Sequence, residues 1–186
     1  MKLLFVLVLA SCTPPAMLPS TSWPSVALSS TSGETATYPR DLAASHFTVF
    51  VFFSKDCLCF GAHEARLREL VEKYGHQGVR FVLVDPETGR TIEGDAREVR
   101  ERNLPAPVFL DPGAKLASAL GAVYATYSVV VDASGKIQYR GGIDSDKSHL
   151  RDDRTNYLAD ALDDLTAGRA PRRAEGKTLG CALQTW

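Results

Sequence analysis

The sequence of 186 residues predicts an α/β fold in which helices flank a central mixed sheet. Three observations support this prediction. Two apolar, β-branched runs, at 47–53 and 79–84, are typical of strands that are covered on both faces. Apolar side chains recur at helical spacing between these runs, which indicates a parallel strand–helix–strand crossover. Further along, the runs 128–131 and 136–139 flank a turn sequence that ends at Gly135, which predicts an antiparallel hairpin.

The elements follow in order from the first buried run. That strand ends at a polar turn, Ser54-Lys-Asp56, and the helix after it is expected to stop at Gly75. Beyond the second buried run we expect a charged helix over 91–102, a short strand over 107–110 and a small helix over 115–120. The hairpin follows, and then an amphipathic helix that begins near Tyr157, with Thr155 as its N-cap.

The first residues are predicted to be a lipoprotein signal peptide, residues 1–11. Lys2 precedes an apolar run, Leu3 to Ala10, that is too short to span a bilayer as a mature helix. The run ends in Leu9-Ala-Ser-Cys12, which resembles the bacterial lipobox, where the peptide is cut before a cysteine that receives lipid. The alternative is a plain secretory signal. We expect a chain anchored by lipid at Cys12 in the bacterial cell envelope, facing the periplasm.

The rest of the chain divides into three predicted segments. Residues 12–39 are rich in serine, threonine and proline and are expected to form a flexible tether. One α/β domain is expected over residues 40–170, followed by a C-terminal tail, 171–186, that contains Cys181. The 21 basic and 22 acidic residues nearly balance, so no nucleic-acid partner is indicated.

The segments Phe52-Phe-Ser-Lys-Asp-Cys57-Leu-Cys59, 79–84 and 129–141 together resemble the redoxin branch of the thioredoxin superfamily. That branch includes TlpA-like proteins and alkyl hydroperoxide reductase/thiol-specific antioxidant proteins. The late Gly180-Cys181 resembles the subgroup with an extended C-terminal tail. The resemblance implies a thioredoxin-like fold, redox-active cysteines and no organic cofactor. It also implies that the partners are protein thiols and disulfides or small oxidants.

The sequence departs from the family pattern at three places. Cys57-x-Cys59 replaces the usual Cys-x-x-Cys. Phe50 and Ser54 stand where peroxiredoxins have proline and threonine, which disfavours a peroxidatic role. Tyr127 stands where thioredoxins have a cis-proline. We expect a trans peptide or a strained site there, because a cis bond without proline costs about 3 kcal/mol.

Cys57 is the predicted nucleophile. It lies where the helix should begin, and the unpaired N–H groups of a helix N-terminus lower the pKa of a thiol. Its partner stays open between Cys59 and Cys181. Residues two apart on a helix do not share a face, so a Cys57–Cys59 disulfide requires Cys57 to lie outside the regular helix. The main interpretation is an exported thiol–disulfide oxidoreductase or thiol-based antioxidant.

Two alternative functions remain. Cys59 and His63 are four residues apart and share a helix face, so with Cys57 they offer two thiolates and an imidazole. This set suits Cu(I) or zinc and would make the protein a metallochaperone, with His63 otherwise a surface residue. The second alternative is a non-catalytic thioredoxin-like binding module. A late acidic run is expected to be a solvated loop: Asp144, Asp146, His149, Asp152 and Asp153.

Overall fold

The computed structural model describes residues 23–186. The predicted signal peptide and the predicted lipidation site Cys12 lie outside the described residues. Within the described part, none of the helices combines the length and the hydropathy that crossing a bilayer requires.

One mixed sheet forms the centre of the described chain. In sequence the elements are β1 (Val26–Ser30), β2 (Thr35–Tyr38), a 3-10 helix (Arg40–Ala44), β3 (Phe47–Phe52), α1 (Leu58–Gly75), β4 (Val79–Asp85), α2 (Ile92–Arg102), β5 (Val108–Leu110), α3 (Lys115–Leu120), β6 (Ser128–Asp132), β7 (Ile137–Gly141) and α4 (Tyr157–Thr166). The strand order is β2-β1-β5-β4-β3-β6-β7. The pairs β3–β4 and β4–β5 are parallel, and the other pairs are antiparallel. The predicted α/β class with a mixed sheet is confirmed.

The centre of the sheet is fully buried, as its continuous apolar sequence predicts. The side chains of Phe50, Val51 and Phe52 in β3 have no exposed surface. α1 contacts β4, and α4 contacts β7. α1 and α4 also touch each other, because the Tyr74 hydroxyl donates a hydrogen bond to Asp163 Oδ1 at 2.8 Å. The cysteines after β3 therefore lie between a fully buried strand and a helix that packs on the sheet.

The predicted tether over 12–39 is wrong for its second half. β1 and β2 are sheet strands, and β1 also pairs with β5. Val26 and Leu28 are buried while Ala27 between them is exposed, which is the period-two pattern of a strand with one covered face. Tyr38 is buried and its ring meets Phe50 edge-on, with centroids 4.8 Å apart. The domain therefore begins before residue 40, and Ser29 and Thr35 lie on the exposed side of these two strands.

The C-terminal tail, 171–186, is also part of the domain. Glu175 forms a parallel bridge with Arg140 in β7, and Ala182 forms an antiparallel bridge with Tyr124. Leu183 is 2% exposed. The tail therefore contributes both backbone pairing and an apolar side chain to the folded structure.

Helices α2 and α4 differ in how they begin. Thr91 caps α2, where its hydroxyl oxygen accepts a hydrogen bond from Gly94 N at 3.1 Å. α4 begins after Asn156, without a side-chain cap, so the prediction of Thr155 as N-cap is wrong. The Thr155 backbone instead pairs with Ser145, donating to its hydroxyl at 2.9 Å and accepting from its N–H at 3.0 Å. This pairing ties the preceding loop to the start of α4.

Candidate active site

Cys57 occupies the N-cap of α1. Its backbone is extended (φ −83°, ψ 108°), so it lies outside the regular helix, and its Sγ accepts a hydrogen bond from Phe60 N at 3.4 Å. The polar turn after β3 holds it in place, since Cys57 N donates to Ser54 O at 3.3 Å. The side chain is 2% exposed. The sequence prediction that Cys57 stands at the start of the helix agrees with this position.

A disulfide joins Cys57 to Cys181, which are 124 residues apart in sequence. Their Cα atoms are 5.6 Å apart, within the usual range for disulfides. Cys181 N also donates a hydrogen bond to Cys57 Sγ at 3.4 Å. Of the two candidate partners for Cys57, the structure joins it to Cys181.

Backbone hydrogen bonds hold the tail around Cys181. Cys181 O accepts from Ala125 N at 2.9 Å, and Leu183 N donates to Val123 O at 3.1 Å. On the other side, Gln184 O accepts from Thr88 N at 2.8 Å. None of these bonds involves a sulfur atom, so the backbone positions Cys181 by contacts that are separate from the disulfide.

Gly180 allows this close approach. A Cβ atom built on Gly180 would overlap the carbonyl oxygen of Ala125. Only a residue without a side chain lets the tail backbone lie so near the loop before β6. The Gly180-Cys181 pair is thus one signal in the sequence for a docked tail, and it is steric in origin.

Cys59 is a third sulfur in the same place. It is a free thiol, 3% exposed, on the first turn of α1. The sulfur atoms of Cys57, Cys59 and Cys181 all lie within 4.8 Å of one another. Among residues 23–186 this is the one group of at least three cysteine, histidine or carboxylate side chains that could share a metal ion.

His63 lies apart from this group and is buried, with 2% of its surface exposed, so the expectation of a surface histidine is wrong. Its Nδ1 is 2.7 Å from Cys59 O, and its Nε2 is 3.0 Å from Asp144 Oδ1. Both ring nitrogens are therefore engaged with oxygen atoms, and His63 is not part of the sulfur group. The predicted Cys57, Cys59, His63 ligand set is therefore not assembled, because Asp144 binds the imidazole.

The acidic run after β7 is only partly the solvated loop that was predicted. Asp144 and Asp146 are buried, while His149, Asp152 and Asp153 are exposed. The buried pair is neutralised from α1: Arg66 Nη1 donates to Asp144 at 2.6 Å and to Asp146 at 3.0 Å. Arg66 was not identified from the sequence, because nothing local links it to residues about 80 positions later.

The same contacts shift the pKa values of both carboxyl groups. Burial alone would favour the neutral acids. Hydrogen bonds from His63, Asp146 N and Arg66 outweigh that effect and lower the pKa of Asp144. For Asp146, burial is likewise outweighed by bonds from Arg151 and Arg66, which lower the pKa to about 2. The cluster is therefore a stabilised ionic network.

α2 braces the turn that carries Cys57. Arg102 Nη1 donates to Lys55 O at 3.0 Å, and its guanidinium carbon lies 5.5 Å from the centre of the Phe53 ring. Lys55 Nζ is 3.1 Å from Glu98 Oε1, so the ammonium group pairs with α2. The added helix predicted over 91–102 thus stiffens the turn next to the cysteines.

A second buried carboxyl lies on α2. Asp95 has no exposed surface, its Oδ2 has no hydrogen-bond partner, and Arg90 is 3.5 Å from its Oδ1. Burial and the nearby Asp85 carboxylate raise the pKa of Asp95 to about 7. Nothing in the sequence distinguishes this group, since a single aspartate in a charged helix is ordinarily exposed.

The loop opposite Cys57 differs from the thioredoxin pattern as expected. In the described chain the one cis peptide joins Tyr38 to Pro39, so the peptide before Tyr127 is trans. The strain lies one residue earlier: Thr126, a β-branched residue, has φ 69°, which is unfavourable for its side chain. Hydrogen bonds with Phe52 hold this conformation, since Thr126 N donates to Phe52 O at 2.9 Å.

The mixed sheet, its flanking helices and the cysteine at the start of the helix after β3 define a thioredoxin-like redoxin fold. The model of the AhpC/TSA family matches residues 19–140, and the chain belongs to that family. The match includes Cys57 and Cys59 but ends before Cys181. No curated protein matches the chain.

Solved structures share the fold. A hypothetical protein from Sinorhizobium meliloti 1021 is 20% identical with a TM-score of 0.77, covering 91% of this chain and 95% of that one. An uncharacterized conserved protein from Geobacillus kaustophilus is 24% identical, also at 0.77, covering 92% and 94%. Xanthomonas campestris peroxiredoxin Q is 14% identical at 0.53, covering 77% and 88%. At these identities the likeness concerns the fold alone.

Proposed function

We propose that this protein is a thiol–disulfide oxidoreductase of the redoxin type, with Cys57 as the nucleophile and Cys181 as the resolving cysteine. One observation supports it above the others: Cys57 caps the first turn of α1 and is joined to a cysteine that a docked tail delivers from 124 residues away. Phe60 N and Cys181 N both point at Cys57 Sγ, and N–H donors favour the thiolate over the thiol.

The exchange would run in two steps. The Cys57 thiolate attacks a disulfide of a partner protein, forms a mixed disulfide and releases one partner thiolate. The Cys181 thiolate then attacks Cys57 Sγ and releases the second partner thiolate. Two electrons pass to the partner, and the Cys57–Cys181 disulfide forms. The reverse sequence oxidises a partner dithiol.

Exposure of the two sulfurs suggests where the oxidised form reacts. Cys57 is buried beneath the tail, whereas Cys181 is half-buried. An incoming thiolate reaches Cys181 Sγ more easily, and Cys57 is the better leaving group because two N–H donors stabilise its thiolate. We therefore propose that reductants form their mixed disulfide with Cys181.

Reduction of peroxides is the less favoured use of Cys57. Phe50 and Ser54 replace two residues of the peroxiredoxin motif, and both are buried. A buried phenylalanine offers no polar contact to a peroxide. A thiol-based antioxidant role would then depend on protein thiols rather than on direct peroxide chemistry.

The test is exchange between the reduced protein and a protein disulfide, with disulfides mapped by mass spectrometry. Wild type is expected to yield the Cys57–Cys181 bond. Cys181→Ser is expected to trap the mixed disulfide at Cys57, and Cys57→Ser to abolish exchange. The Cys59→Ser variant is the matched control, which should still form the Cys57–Cys181 bond.

Three results would contradict this function. Hydrogen peroxide oxidising Cys57 far faster than any disulfide would make the protein a thiol peroxidase. Unchanged exchange in Cys57→Ser would remove Cys57 as the nucleophile. Absence of exchange in wild type would leave only the interpretation of a non-catalytic binding module.

We also propose export and lipid anchoring at Cys12. The lipobox-like Leu9-Ala-Ser-Cys12 supports this, and a disulfide that closes the site suits an oxidising compartment such as the periplasm. The test is palmitate labelling in a bacterial host, followed by mass analysis of the mature N-terminus. Wild type should be labelled and begin at Cys12, while Cys12→Ala should be neither labelled nor cut there. A label-free wild-type protein cleaved elsewhere would support a plain secretory signal.

A further inference from the structure

The proposed exchange uses two of the three sulfurs at the start of α1 and leaves Cys59 without a role. Cys59 is 3% exposed, and its sulfur lies within 4.8 Å of both other sulfurs. A small buried thiol is commonly just an apolar residue. Here, however, it completes a group of three soft donors that come from the N-cap, the first helical turn and the docked tail.

We propose that the reduced protein binds one Cu(I) ion through the thiolates of Cys57, Cys59 and Cys181. This site goes beyond the exchange function and does not depend on it. It differs from the ligand set that the sequence indicated, because Cys181 takes the place of His63.

The spacing of the sulfurs suits a shared ion. A metal–sulfur distance of about 2.3 Å puts the three sulfurs of a trigonal site about 4 Å apart. All three sulfurs lie within 4.8 Å of one another in the disulfide form. Breaking the disulfide lets the sulfurs of Cys57 and Cys181 separate toward this spacing while Cys59 moves little.

Backbone contacts that involve no sulfur also hold the tail. In the disulfide form Cys181 O accepts from Ala125 N, and the buried Leu183 donates its N–H to Val123 O. Because neither bond passes through the disulfide, we expect both to persist after reduction. Cys57 and Cys59 are fixed by α1 itself, so little ordering is needed for the ion to bind.

Ligand chemistry selects the ion. Thiolates are soft donors that prefer Cu(I), whereas zinc usually takes four ligands. The group in the described chain supplies three. His63 cannot be the fourth, because Cys59 O and Asp144 occupy its two nitrogens. Cu(I) bound by three thiolates is therefore a better match than zinc.

Binding and disulfide formation exclude each other. A dithiol must first supply two electrons and two protons to convert the Cys57–Cys181 disulfide into two thiols. Cu(I) then displaces three thiol protons and forms three sulfur–metal bonds, with no change in oxidation state. Bound Cu(I) should therefore protect Cys57 from oxidation by a disulfide.

The experiment is a Cu(I) titration of the full-length chain carrying Cys12→Ser, solubilised in detergent. The chain is reduced with a dithiol, freed of reductant and kept free of oxygen, with a coloured Cu(I) chelator as competitor. We expect one Cu(I) per chain. X-ray absorption is expected to show three sulfurs at about 2.3 Å.

Substitutions in the same background identify the ligands. Cys59→Ser and Cys181→Ser should each weaken binding at least about tenfold, which is the loss seen even for outer partners of metal ligands. His63→Gln should change affinity less than twofold. Formation of the Cys57–Cys181 disulfide in oxidised Cys59→Ser and His63→Gln verifies that both variants fold.

Three results would overturn the site: no Cu(I) uptake by the reduced chain, unchanged affinity in Cys59→Ser, or an equal loss in His63→Gln. The exchange assay is separate from this titration. Exchange without copper uptake removes only the copper site, and copper uptake without exchange removes only the oxidoreductase function.

Discussion

Two successive turns of α1 use their reactive side chains in opposite ways. At the first turn, Cys57 and Cys59 are surrounded by apolar residues, and the partner that reaches them, Cys181, can be released by reduction. One turn later, His63 and Arg66 face Asp144 in a network in which each charged group has a partner. Reactivity here therefore depends on which groups keep an exchangeable partner. Cys59 and His63 are only four positions apart, yet only the sulfur of Cys59 remains available for chemistry.

Loss of the disulfide should have the largest effect on stability. The bond closes a segment whose ends are 124 residues apart, and loop-closure entropy predicts a loss of up to about 5 kcal/mol in the free energy of unfolding for Cys181→Ser. Urea unfolding of the oxidised proteins measures it. Cys59→Ser, which keeps the bond, is the control. A difference below about 1 kcal/mol would show that the docked tail, rather than its covalent link, stabilises this end of α1.

Breaking the ionic network should have the second-largest effect on stability. Asp144→Ala leaves the buried His63 without its carboxylate and leaves Arg66 with Asp146 alone, and removing one partner of a buried ion pair costs about 3 kcal/mol. The Cys57–Cys181 bond should still form, because none of its contacts passes through Asp144. Exposed Asp152→Ala is the control and should stay within about 0.5 kcal/mol of wild type in the same urea experiment. Loss of the disulfide in Asp144→Ala would mean that the two turns are coupled.

A substitution at Gly180 should displace the tail without removing a cysteine. In Gly180→Ala the added methyl group collides with Ala125 O, which should cost about 2 kcal/mol and slow disulfide formation. Gly75→Ala places its methyl group in open space and serves as the control. Stability follows from urea unfolding, and the rate from trapping free thiols during oxidation. Equal rates in the two variants would show that tail docking does not limit formation of the bond.

A further effect concerns pH, where the two kinds of carboxyl group act in opposite directions. Asp144 and Asp146 have lowered pKa values, so their contribution is present above about pH 4 and is lost as the pH falls. The pKa of Asp95 is raised to about 7, so the folded state holds a proton there that the unfolded state releases above about pH 4. Its contribution to stability therefore declines as the pH rises from about 4 to about 7.

Asp95→Asn tests this sign. The amide keeps a polar contact with Arg90 and does not ionise, so the decline between about pH 4 and 7 should disappear. We expect a gain of about 1 kcal/mol at pH 8, since loss of the ion pair offsets part of the gain. Urea unfolding across pH measures both. An unchanged slope would assign the pH dependence to other groups.

Local patterns were sufficient for most of the fold. The continuous apolar run of β3 and the helical spacing in α1 predict buried central strands and an amphipathic helix, because each pattern reflects the neighbours of a few consecutive residues. The position of Cys57 followed from the same local signals. β1 and β2 were missed because short strands rich in serine and threonine have the composition of a linker.

The sequence alone therefore determined the α/β class, the order of most elements and the cysteine at the start of α1. Only the tertiary structure decided which residues Cys57 and His63 meet. Cys181 and Asp144 lie 124 and 81 residues away from them. Such contacts depend on how the tail and the loop after β7 return to α1, and spacing along the chain carries no information about that path.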